Sequence, residues 1–74
     1  MAPNTTRTEA LGRAVARRLD TAGLTYRTAS ERTGIPLTTL HRRLHTGAFT
    51  LPELLAVADL LGVTADVLIR EDAA

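Results

Sequence analysis

The chain has 74 residues and a mass of 7.9 kDa, enough for one small domain that buries only ~60% of its unfolded surface. It contains no cysteine, which excludes disulfides and thiolate metal sites as supports. Nine basic residues against eight acidic ones leave a net charge of +1, a total that argues against a uniformly basic nucleic-acid binder.

Residues 1–7 are polar, include Pro3 and lack periodicity, the pattern of a flexible arm. From about residue 8 to 22, Leu11, Val15, Leu19 and Ala22 recur at helical spacing with Arg13 and Arg17 opposite, which predicts a first helix ended by Gly23. Thr25 is the expected N-cap of a short second helix over residues 26–33, closed by Gly34. Ile35 and Pro36 form a tight corner, and a third helix runs over residues 37–45 until Gly47 stops it. Thr50-Leu51-Pro52-Glu53 reads as a capping box. It opens a fourth helix through Leu61, with Leu54, Leu55, Ala58 and Leu61 as its buried stripe. Thr64 caps a fifth helix through Ile69, with Val67 and Leu68 facing inward and residues 71–74 as a tail. No segment alternates like a strand and none repeats. The expected fold class is therefore all-α: a compact five-helix bundle over residues 8–70, its core filled by aliphatic side chains because Tyr26 and Phe49 are the only aromatics.

The net charge conceals a division. All nine basic residues are arginines, and eight of them (Arg7, Arg13, Arg17, Arg18, Arg27, Arg32, Arg42, Arg43) precede residue 48, opposed only by Glu9, Asp20 and Glu31, a balance of +5. Residues 48–74 set Arg70 against Glu53, Asp59, Asp66, Glu71 and Asp72, a balance of −4. Such asymmetry points to one face suited to a polyanion, or to a bipolar surface that serves solubility or self-association. The longest apolar run is five residues, 54–58, and nothing at the N-terminus looks like a signal peptide. The expectation is a soluble, cytoplasmic chain with no membrane partner.

The most informative stretch is LTYRTASERTGIPLTTLHRRL, residues 24–44. Two short helices joined at Gly34 can cross steeply, and burial of Ala29, Ile35, Leu40 and Leu44 would lock them together. The third helix would then present Leu37, Thr38, His41 and Arg42, with Thr39 and His45 at the margins. That face can hydrogen-bond and carries no acid, which suits a DNA major groove.

This stretch resembles the helix-turn-helix of the lambda-repressor-like (Cro-type, XRE-type) family of DNA-binding domains, which includes phage immunity repressors. The resemblance covers about residues 8–69. It rests on Leu24-Thr25, the Thr33-Gly34-Ile35 turn, the Thr39-Leu40 pair, Gly47, and the following LLAVADLLGVTADVL. It implies base reading by Leu37, Thr38, Thr39, His41 and Arg42, with Arg42 bonding guanine O6 and N7 and Leu37 packing on a thymine methyl. It implies phosphate contacts from Tyr26 and Arg27 at the start of the second helix and from Arg43 and His45 near the end of the third. Separately, Arg7 is open to two readings, an arm across DNA or a disordered residue. The chain departs from the family's usual glutamine at Tyr26, alanine at Ser30 and serine or threonine cap at Pro36. The segment before Gly47 is one residue longer than the commonest spacing.

The function so implied is sequence-specific binding of double-stranded DNA by a transcriptional repressor or regulator. Homodimer on a palindromic operator and monomer both stay open. The alternative is a protein-interaction module, antitoxin-like or adaptor, that works through the acidic residues 48–74 on the same fold. Catalysis is not expected: Ser30 lies mid-helix, and no Gly-rich phosphate loop or paired-carboxylate pocket is present. No cofactor or small-molecule substrate is expected either. His41 and His45 stand at i, i+4, but no neighbouring acid or cysteine completes a metal site.

Overall fold

Caps and glycines divide the chain into helices where the sequence places them. The computed structural model describes the backbone of residues 3–73 and the side chains of residues 8–70. Among the described residues there are five helices, α1 (Pro3–Thr21), α2 (Tyr26–Thr33), α3 (Leu37–Thr46), α4 (Leu51–Leu61) and α5 (Ala65–Ala73), and no strand. The Thr25 hydroxyl oxygen accepts the Thr28 amide at 3.0 Å and starts α2. The capping box at α4 is complete: Thr50 Oγ1 accepts the Glu53 amide at 3.3 Å, and Glu53 Oε1 accepts the Thr50 amide at 2.9 Å. Thr64 Oγ1 accepts the Val67 amide at 3.3 Å at the start of α5.

Two boundaries differ from expectation. α1 starts at Pro3 rather than near Thr8, because proline is tolerated in a first helical turn and residues 4–7 hold no breaker. Hydrophobic periodicity registers only the turns packed on the core. For the same reason α5 continues past Ile69 to Ala73. Of the expected arm and tail, residues 1–2 and 74 lie outside the described residues, as does the side chain of Arg7.

Val15 and Leu19 of α1, Ala29 of α2, Ile35 of the turn, Leu40 and Leu44 of α3, Leu54, Val57 and Ala58 of α4, and Leu68 of α5 form one buried cluster. α1 packs on α3 and α5, while α2 packs on α3 and α4. The axes of α3 and α4 meet at 95°. Three expected core positions are instead exposed. Ala22 falls beyond the end of α1. Leu55 is 52% exposed and Val57 takes its place inside. An unbroken apolar run cannot show which of its faces is buried, and residues 54–58 are such a run. Val67 also faces solvent, leaving Leu68 as the inward residue of α5.

α1 and α3 meet backbone to backbone. A Cβ placed on Gly12 would strike the Leu44 carbonyl oxygen and lie 3.0 Å from the Leu44 carbonyl carbon. A Cβ on Gly47 would strike the Thr8 carbonyl. Gly47 also has φ +76°, a left-handed conformation that costs any residue with a Cβ about 1–2 kcal/mol. This contact anchors the C-terminal end of α3 to α1.

Candidate nucleic-acid interface

The turn between α2 and α3 is stitched by side chains. Gly34, at φ +79°, donates its amide to the Ser30 carbonyl at 2.9 Å and closes α2. The Ser30 hydroxyl donates to the Ile35 carbonyl at 2.5 Å, so the serine spans the turn that it borders. Thr33 Oγ1 donates to the Ala29 carbonyl at 2.7 Å and accepts the Ile35 amide at 3.3 Å. Pro36 precedes α3 without a side-chain cap. Ile35, Leu40 and Leu44 sink into the core below the turn, and this fixes which way α3 faces.

With Leu40 and Leu44 inside, the opposite face of α3 is Thr38, His41, Arg42 and His45, all exposed. Their spacing of i, i+3, i+4 and i+7 defines one side of a helix. Leu37 and Thr39 are half-buried at its edges. The helix contains no acidic residue. Four of the five expected base-reading residues thus share this face or its near edge, with Thr39 on the far flank. Exposed Arg27 and Tyr26 stand at the start of α2. The ring of Tyr26 meets that of His41 edge to face, with centroids 5.1 Å apart and planes at 82°. Among the described residues no group of three or more His, Asp or Glu side chains is placed to hold a metal ion.

Arg43 is not brought to this face. It turns toward α4, where its Nε donates to Glu53 Oε1 at 2.8 Å and Nη2 lies 3.5 Å from Oε2. Its neighbour Arg42, about 100° away round the helix, stays on the exposed face. Arg43, expected at a phosphate, is engaged here in an ion pair that joins α3 to α4. The capping box holds Glu53 as a fixed anion at the start of α4.

Glu53 serves two roles at once. The Thr50 backbone amide, and then the Arg43 guanidinium, hold its carboxyl below the ordinary value of 4.5. A carboxylate depressed in the folded state stabilises fully above its unfolded pKa, and that contribution fades as pH falls through the folded one. Glu53→Ala should cost about 1–2 kcal/mol at pH 7, from the lost cap and ion pair together. Near pH 3 the difference from the parent chain should shrink. Urea unfolding at the two pH values checks this, and an equal loss at both would rule out the charged role.

The fold and the face together define an all-α chain that displays a cationic, hydrogen-bonding helix side supported by its neighbours. No protein-family model, curated protein or solved structure matches the chain. No single helix among the described residues is long and apolar enough to cross a membrane.

Proposed function

We propose that this chain is a sequence-specific double-stranded DNA-binding protein, a helix-turn-helix transcriptional repressor or regulator acting in the cytoplasm. The observation that carries this reading is the exposed face of α3, where Thr38, His41, Arg42 and His45 stand together without an acid on the helix. An α-helix with its side chains is ~10–12 Å across and enters a major groove about 12 Å wide. Arg42 is the base reader, with hydrogen-bond geometry suited to guanine O6 and N7. Arg27 beside the reading face and His45 at its C-terminal end are phosphate contacts that orient it.

The test is selection of bound duplexes from a random pool, followed by affinity measured against salt. Each phosphate neutralised should add about −0.9 to the log–log slope. The recovered sequences should carry a defined half-site, single for a monomer and inverted for a dimer. Affinity flat from low to moderate salt would reject the reading.

One observation favours the second reading, a protein-interaction module. Leu51 is 66% exposed, Leu55 52% and Ile69 50%, all within the acidic half. Partner capture that depends on Leu51 and Leu55, with no duplex bound even at low salt, would select it.

A further inference from the structure

Tyr26 and His41 meet at the corner between α2 and α3, and the role inferred for that contact rests on the DNA-binding function proposed for α3. Tyr26 opens α2, a position fixed by the Thr25 cap at 3.0 Å. His41 lies in the second turn of α3. The Ser30 and Thr33 hydrogen bonds hold the intervening turn, so the two rings meet across a rigid corner. Their 5.1 Å separation and 82° interplanar angle fall within the edge-to-face geometry that aromatic pairs favour, at about 4.5–7 Å. An exposed histidine elsewhere on a helix samples several rotamers and loses that freedom on binding. Here one side of the imidazole already rests on a neighbour.

We propose that Tyr26 is a positioning residue whose ring sets the orientation of the His41 imidazole, making the pair a single specificity-determining unit at one base pair. The ring, rather than the hydroxyl, carries this role. A phenol hydroxyl on a phosphate would strengthen binding to all sequences alike, because phosphate contacts carry no base information. A ring that orients a base-reading side chain acts at one position only.

The experiment uses the full chain and compares the parent with Tyr26→Phe, Tyr26→Leu, Tyr26→Ala and His41→Ala in the duplex-selection assay. Thermal melts establish that each is folded. His41→Ala should relax one base-pair position. Tyr26→Leu and Tyr26→Ala should relax the same position by about fivefold or more, the lower range of what one base pair contributes. Tyr26→Phe should retain the discrimination, and the Tyr26→Ala/His41→Ala double variant should be no less selective than His41→Ala alone. NMR of the free chain should show the His41 ring protons shifting in Tyr26→Leu but not in Tyr26→Phe, as the tyrosine ring current is removed.

A Tyr26→Phe variant as weak as Tyr26→Ala, loss spread evenly over all positions, or relaxation at a position His41 does not read would each overturn the proposal. Unmoved His41 signals in Tyr26→Leu would overturn it without any DNA present. A parent chain that selects no sequence overturns the DNA-binding function itself and the positioning role with it, whereas a selective parent with any of the other outcomes overturns the positioning role alone.

Discussion

Gly12→Ala should lower the thermal midpoint by about 10–20 °C, although alanine is the better helix former. Mid-helix glycine ordinarily costs about 1 kcal/mol relative to alanine, so on propensity alone the substitution would stabilise. The packing reverses the sign. The new Cβ would overlap the Leu44 carbonyl oxygen and lie 3.0 Å from the Leu44 carbonyl carbon and 3.1 Å from the Gly47 amide nitrogen. All three are backbone atoms, so no side chain can swing aside, and α1 must move off α3. Overpacking of that kind costs about 1–3 kcal/mol and occasionally more, and here it falls on the crossing that seats α3. With backbone on all sides the cost here reaches about 3–4 kcal/mol, and less the ~1 kcal/mol gained in propensity the net loss of about 2–3 kcal/mol is large against the ~4–11 kcal/mol that a chain of this length holds in total. It corresponds to the stated midpoint shift at about 4–8 °C per kcal/mol. Gly47→Ala should be worse, since its Cβ meets the Thr8 carbonyl and its φ of +76° disfavours any side chain. A Gly12→Ala chain that melts at or above the parent temperature would mean that the helices separate freely there.

Gly12 also shows where sequence reading runs out. A glycine inside a helical pattern reads only as a weak helix position, and it is the structure that shows the close approach and identifies Leu44 and Gly47 as the backbone approached. The elements themselves were legible because each boundary is a local event. Thr25, Thr50 and Thr64 cap with their own hydroxyls, and Gly34, Gly47 and Gly62 turn left-handed after the helices they end. The face of α3 was legible too, since Leu40 and Leu44 are its only apolar residues past the first turn and must face inward. Leu55 was not, because its neighbours are all apolar and only the packing of α4 on the other helices decides which of them is covered. The pairings of Arg43 and Tyr26 were not legible either, for a different reason. Their partners, Glu53 and His41, lie ten and fifteen positions away on other helices, beyond the reach of any single-helix pattern. The candidate site is therefore readable as a face, while its internal contacts are tertiary.

Those contacts separate two adjacent arginines that composition treats as equivalent. Arg42→Ala should weaken binding to the selected duplex by about 1–3 kcal/mol, relax specificity at one base pair and leave the melting temperature unchanged. The side chain is exposed on the open face of α3, so its removal leaves no buried group unpaired. Arg43→Ala should do the reverse. It strips Glu53 of its 2.8 Å partner between α3 and α4 and should cost about 1–2 kcal/mol of stability, between the values typical of exposed and buried pairs. Measured well below its melting temperature, it should still bind the selected duplex with an unchanged salt slope, because its guanidinium is already committed to a carboxylate. A phosphate-contacting Arg43 would instead flatten that slope by about 0.9. The two outcomes are read from the same titration. If Arg43→Ala flattens the slope and melts like the parent, the Arg43–Glu53 pair does not join α3 to α4 in solution and both arginines belong to the DNA face. If only Arg42→Ala alters base preference while Arg43→Ala alters only stability, one helix turn divides its two arginines between a ligand and the fold.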